Sequence, residues 1–127
     1  MDVFVYGTLT DPASVASVVD EFAFGPDAEL RGLHRVEGRY PTLAPGGRTA
    51  GRILRVDDVA AVDAYEGVEG GLYVRVAVAL VGTDETVAVY VGDPSRLDAD
   101  ATWPGARAFA ERVRSHLAER DVVVRSL

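Results

Sequence analysis

The sequence predicts an α+β fold: a small, mixed, mostly antiparallel β-barrel with flanking helices. Three observations carry that expectation. Six or seven short apolar segments read as strands, and only three stretches read as helices. The two kinds do not alternate in the regular strand–helix–strand order of a parallel sheet. The chain has 127 residues, 48% of them hydrophobic. That length suits one domain over residues 1–127, burying roughly two-thirds of its unfolded surface.

Val3 to Tyr6 reads as a first, buried strand. Gly7 opens a turn, after which Thr10 or Asp11 caps a helix with Pro12 at its first position. Val15, Val18 and Val19 give that helix an apolar stripe. Phe22 to Val36 reads as two short strands or one bent strand, with turn signals at Gly25-Pro26 and Gly32. Tyr40-Pro41 forces an extended backbone, because the residue before a proline avoids the helical region. Pro45-Gly46-Gly47 reads as a turn, and Thr49 to Val56 returns as a strand.

Asp57 or Asp58 caps a short helix to about Tyr65, ended by Gly67. Leu72 to Val81 alternates: Leu72, Val74, Val76, Val78 and Leu80 face one way, and Tyr73, Arg75, Ala77, Ala79 and Val81 the other. Thr86 to Val91 is its hairpin partner. Thr102 to Glu119 reads as the longest helix, with Pro104 in its first turn. Val122 to Val124 is a last edge strand or a docked tail.

Net charge is −7, and all 13 basic residues are arginine. An acidic, lysine-free surface suits a salt-rich cytoplasm, where the Debye length falls to about 3 Å at 1 M. A GC-rich genome favouring Arg, Ala and Val is the alternative. No basic stripe interleaved with aromatics is present, so nucleic acid is not an expected partner. No charged-then-apolar leader and no apolar run near ~20 residues is read, so a cytoplasmic location without membrane contact is expected.

Much chemistry is excluded by residue type. There is no cysteine, hence no disulfide and no thiolate nucleophile or ligand. Without lysine there is neither a G-x-x-x-x-G-K phosphate loop nor a Schiff base on a side chain. No Gly-x-Ser-x-Gly elbow occurs. His34 and His116 stand in no metal-ligand spacing, and Asp98-Ala-Asp100 reads as a solvated acidic loop. No metal or cofactor is expected. A carboxylate, tyrosines and backbone dipoles remain.

Two places then concentrate the function argument. Glu66 ends a helix, facing the negative end of the macrodipole at a cost of up to about 1 kcal/mol. Partly buried, such a carboxyl would have its pKa raised toward the range of a general acid or base. A surface glutamate that merely ends a helix is the alternative. The Tyr6-Gly7-Thr8-Leu9 turn can aim the N–H groups of Gly7, Thr8 and Leu9 at a small anion. It can equally be a strand-to-helix connection with no ligand.

Four motifs in order carry a resemblance. They are Phe4-Val5-Tyr6-Gly7-Thr8-Leu9, Tyr40-Pro41, Gly51-Arg52-Ile53-Leu54-Arg55-Val56, and Val62-Asp63-Ala64-Tyr65-Glu66-Gly67 followed by Tyr73 and Arg75. With these the chain resembles the small single-domain members of the gamma-glutamylcyclotransferase-like superfamily. Leu9 is followed by Thr10-Asp11-Pro12 instead of the "RRG…N" of some members, which is nearer the plant- and microbe-type subgroup. The resemblance implies a barrel whose cavity holds a gamma-glutamyl group, a small-molecule substrate needing no cofactor. The Tyr6 to Leu9 turn would bind the glutamyl head through backbone groups, and Glu66 would transfer the proton. Tyr73 would hydrogen-bond substrate, and Arg75 would pair with a substrate carboxylate or with a nearby acid. The implied reaction is attack of the α-amine on the γ-carbonyl, releasing an amine and 5-oxoproline. A non-catalytic small-molecule binding or regulatory module on the same barrel is the alternative. Trp103 would line the cavity mouth or anchor the core, and the oligomeric state stays open.

Overall fold

Residues 1–127 are all described by a computed structural model. Its strands are β1 (Asp2–Val5), β2 (Phe22–Val36), β3 (Thr42–Val56), β4 (Tyr73–Leu80), β5 (Thr86–Gly92) and β6 (Val123–Ser126). Its helices are α1 (Pro12–Ala16), α2 (Val59–Glu66), α3 (Pro94–Leu97) and α4 (Phe109–Glu119), with a 3-10 turn at Thr8–Thr10. The strands close into a barrel in the order β1-β3-β2-β6-β4-β5. Pairing is antiparallel except where β1 meets β5 and β6 meets β4. The mixed, mostly antiparallel barrel with flanking helices is therefore present.

Period-two alternation divides the apolar residues between two cores. Phe4, Leu30, Ile53, Val76, Val89 and Val124, one from each strand, belong to the first, with Trp103 and Val113 of α4. A set drawn from all six strands fills the barrel. The second gathers Val3, Val5, Leu54, Val56, Ala88 and Tyr90 with Val15 of α1, Val62 of α2 and Leu97 of α3. It lies between the outer face of the sheet and the short helices. Tyr73 joins this outer core, while Val74, Val76 and Val78 point inward, as the alternation requires.

Close approach at the barrel wall demands glycine at one position. A Cβ on Gly51 would collide with the Val5 carbonyl oxygen and the Phe4 ring. Thr42, wholly buried, satisfies its hydroxyl by donating to the Gly92 carbonyl (3.0 Å) and accepting from the Gly92 N–H (2.8 Å), which ties β3 to β5.

Several sequence expectations are corrected. Pro45-Gly46-Gly47 is no chain-reversing turn: β3 runs unbroken from Thr42 to Val56, with Pro45 opposite Leu33 and Arg48 opposite Arg31. Gly46 and Gly47 take φ of 94° and 72°, so the stretch bulges and bends the strand without ending it. Phe22 to Val36 is the one bent strand of the two options, with register shifts at Phe24/Asp27 and Arg31/Leu33. The predicted helix over Thr102 to Glu119 starts only at Phe109, because Gly105 at φ 113° breaks the backbone and Trp103 is drawn into the barrel core. The four-residue α3 was not expected. Asp93 caps it through the Ser95 N–H, with Pro94 at its start. Finally, β6 is neither edge nor tail, since it fills the gap between β2 and β4. No helix is long and apolar enough to cross a membrane.

Candidate active site

At the C-terminal end of β1 the chain encloses a cavity of about 240 Å³. Its walls come from Phe4 to Leu9, Tyr40-Pro41, Tyr65-Glu66, Leu72-Tyr73 and Tyr90. The wall holds no arginine or histidine, and its one carboxyl is Glu66.

Glu66 reaches this place because α2 ends there. Asp58 caps the helix by accepting from the Ala61 N–H at 3.2 Å, and Gly67 stops it in the left-handed conformation (φ 69°). The neighbouring Tyr65 hydroxyl lies 3.1 Å from the Thr8 hydroxyl, joining the helix end to the turn. Glu66 makes no ion pair and no hydrogen bond with another side chain. Burial pushes its carboxyl up to about 7. The helix dipole, invoked from the sequence, is not needed.

The turn is held from behind. Arg35 donates from Nη1 to the Tyr6 carbonyl (2.6 Å), and Thr10 closes on the Gly7 carbonyl through its N–H (3.1 Å) and hydroxyl (2.7 Å). The N–H groups of Gly7, Thr8 and Leu9 donate to no protein acceptor. They are the unused donors at the start of a helical turn, carrying partial positive charge. Gly7 itself has φ −131°, which other residues adopt. A Cβ there would make only an ordinary contact with Pro41, 3.6 Å away, so the wall does not exclude a side chain at this position.

Three tyrosines surround the carboxyl, and each hydroxyl proton is already committed. Tyr6 donates to the Tyr90 carbonyl (2.6 Å), Tyr73 to the Pro41 carbonyl, and Tyr90 to Asp63 Oδ1 (2.6 Å). Burial, with Glu66 and other negative neighbours, holds all three phenols well above their ordinary range. They stay neutral, and toward a ligand their oxygens can only accept.

Of the sequence-predicted site residues, Tyr6, Gly7, Thr8, Leu9, Glu66 and Tyr73 share the cavity wall, and Arg75 does not. Arg75 faces Asp63, with Nη1 3.2 Å from Oδ2. The N–H is off the angle of a hydrogen bond, so the pair is Coulombic. Arg75 thus took the second of the two partners open to it, and it supports Tyr90 through Asp63. Trp103 is in the barrel core, donating from its indole to the Leu43 carbonyl (3.2 Å), and lines nothing here. Sequence reasoning missed Tyr90 and Leu72 in the wall and Tyr40 at its rim. The signal for Tyr90 was present: it is the one aromatic in the valine-rich strand β5, on the face opposite Val89 and Val91.

Solved structures with this architecture include an uncharacterized human protein (TM-score 0.63, 15% identity) that covers 91% of this chain and 97% of its own. A protein solved as gamma-glutamyl cyclotransferase aligns with TM-score 0.57 and 15% identity, covering 93% and 98%. An Arabidopsis thaliana protein solved in solution shares 29% identity at TM-score 0.55, covering 93% and 83%. Among curated proteins, Protein AIG2 C of Arabidopsis thaliana is 32% identical over 95 residues, covering 71% of this chain and 58% of that protein. Protein AIG2 A of the same plant is 35% identical over 88 residues, 65% and 52% respectively. The chain spans about half the length of the curated relatives it matches. The family model "Gamma-glutamyl cyclotransferase, AIG2-like" matches residues 3–106, which contain every wall residue of the cavity. By that match the chain belongs to the AIG2-like gamma-glutamyl cyclotransferase family.

Proposed function

We propose that the chain is a gamma-glutamyl cyclotransferase-type enzyme that converts a gamma-glutamyl peptide or amine into 5-oxoproline and the free amine. One observation carries the reading. A half-buried carboxyl with no salt-bridge partner shares a small cavity with three backbone N–H groups that have no acceptor.

The chemistry suits those groups. The substrate brings its own nucleophile, so no Ser, Cys or Lys is required. The Gly7, Thr8 and Leu9 amides receive the α-carboxylate, an anion that a protein of charge −7 otherwise repels. Glu66, ionised at and above about pH 7, takes a proton from the α-ammonium. The freed amine attacks the γ-carbonyl. The new N–C bond closes a five-membered ring, the old amide C–N bond breaks as Glu66 delivers its proton to the departing nitrogen, and the second proton of the ring nitrogen passes through the freed Glu66 carboxylate to the released amine, which leaves as an ammonium. Intramolecular ring closure reaches effective molarities of about 10⁵ M when the geometry is held, so folding the substrate is most of the task. A cavity below the roughly 300 Å³ of typical ligand sites suits the glutamyl head alone, leaving the amine at the mouth near Tyr40 and Tyr65.

Incubation with a panel of gamma-glutamyl compounds, with 5-oxoproline measured by mass spectrometry, tests the proposal. Product is expected from at least one of them, and Glu66→Gln should lower its rate by about 10²-fold or more. Ligand-induced thermal stabilisation without product would instead assign a binding module. An unchanged rate in Glu66→Gln would remove the carboxyl from the mechanism.

A further inference from the structure

We infer that Tyr40 and Tyr65 form an aromatic clamp at the cavity mouth that selects the departing amine, favouring gamma-glutamyl amides whose amine carries an aromatic ring. The clamp presupposes the reaction proposed above, because it acts on the leaving group of that reaction. A cavity of about 240 Å³ takes the glutamyl head, so whatever the amide nitrogen carries must lie at the rim. Both tyrosines border that cavity.

Tyr40 (57% exposed) and Tyr65 (47%) are the only exposed aromatic residues in the chain, and both belong to this one wall. The other large apolar residues that are exposed, Met1, Val81 and Leu127, do not line it. Single exposed apolar residues are ordinary, whereas two aromatic ones at the same opening mark a contact surface. Both are also held in place. Tyr65 is anchored through its hydroxyl, 3.1 Å from that of Thr8. Tyr40 precedes Pro41, which keeps its backbone out of the helical region. The Tyr73 phenol, raised mainly by burial, feels both Tyr40 and Tyr65, which places their hydroxyls around the same point.

Glu66 is the only charged side chain in the wall, so neither a cation nor a second acid sorts the departing amines. Contact with the rings remains. Tyrosine offers a broad amphipathic surface with only two side-chain torsions to fix, so little freedom is lost when a ligand settles on it. Rings in offset or edge-on contact gain more than the area they bury. Pro41 and Leu72, half-buried in the same wall, add apolar surface. An aromatic ring seated against Tyr40 and Tyr65 removes apolar area of all three from water, and a small aliphatic amine covers little of it.

The test compares gamma-glutamyl benzylamide with gamma-glutamyl methylamide. Calorimetric titration of Glu66→Gln, whose slow turnover allows binding to be read, should show the benzylamide binding about tenfold more tightly. Adding Tyr40→Ala or Tyr65→Ala should shrink that preference to about twofold or less, while Tyr40→Phe should keep it, since the ring is what makes the contact. Should Tyr65→Ala disturb the turn at Thr8, the Tyr40 pair decides alone. In the parent protein, 5-oxoproline released from the methylamide judges the reaction separately. No product with the binding preference intact removes the reaction and leaves the clamp as a binding site for the amide. Product without the preference removes the clamp and leaves the reaction. Equal affinities, no binding of either amide, or a preference that survives Tyr40→Ala overturns the clamp.

Discussion

Replacing Glu66 with glutamine should stabilise the protein in mildly alkaline solution and change little in acid. In the folded chain burial pushes the Glu66 carboxyl from its ordinary 4.5 up to about 7. The native state therefore holds this proton more tightly than the unfolded chain does. Stability falls as pH rises from 4.5 through 7, and the full penalty stands above that window. At 1.36 kcal/mol for each tenfold change in proton affinity, the interval is worth about 3 kcal/mol. Glutamine fills the same space and never ionises. The stability difference between Glu66→Gln and the parent should thus grow from near zero at about pH 4 to about 3 kcal/mol at about pH 8. Urea unfolding followed by Trp103 fluorescence across that range measures it, and all other acids cancel because both proteins carry them. A gap that stays constant with pH, or a variant less stable at about pH 8, would refute the burial argument. It would also remove the physical basis for Glu66 as a base near neutrality.

The same ionisation predicts that 5-oxoproline formation rises with pH through about 7 and then levels, in a pH–rate profile of the parent protein. Tyr73→Phe removes the hydroxyl that holds the Pro41 carbonyl; equilibrium unfolding should register a loss of about 1 kcal/mol, and substrate KM should rise as that wall loosens. Asp63→Asn leaves Arg75 without its counter-charge and weakens the grip on Tyr90. A loss of about 1–2 kcal/mol is expected, discounted because both side chains are partly exposed, and double-mutant analysis with Arg75→Ala should show coupling. Gly51→Ala forces a methyl into the Val5 carbonyl and the Phe4 ring, and should cost about 3 kcal/mol or prevent folding.

How much of this was legible in the sequence depended on the range of the forces involved. The alternation of Tyr73 and Arg75 against Val74, Val76 and Val78 is a local pattern, and it placed both faces of β4 correctly. Asp58 and Gly67 are local signals too, and they bounded α2 and so positioned Glu66. The Pro45-Gly46-Gly47 stretch misled because a bulge and a reversing turn use the same residues. Only pairing with Leu33 and Arg31 on β2 separates them, and that partnership is not encoded nearby. Residues 102–108 carry Pro104 and Gly105, the two poorest helix formers, a local signal passed over in favour of the apolar spacing farther on, and Trp103 is drawn instead into the barrel core. Arg75 offered the plainest lesson for the site. Its residue type allowed substrate or Asp63 as partner, and only the fold puts Asp63 one helix turn before Glu66, within reach.

The place of β6 bears on how the chain assembles during synthesis. Residues 28–31 of β2 and residues 79–80 of β4 wait for residues 123–126 before their outer hydrogen bonds are made. Until that segment leaves the ribosome, the nascent sheet is a curled ribbon with two open margins, each able to recruit a neighbouring strand. Bringing Val124 back to Leu30 closes a long loop and is entropically slow, so this strand should set the pace of barrel closure.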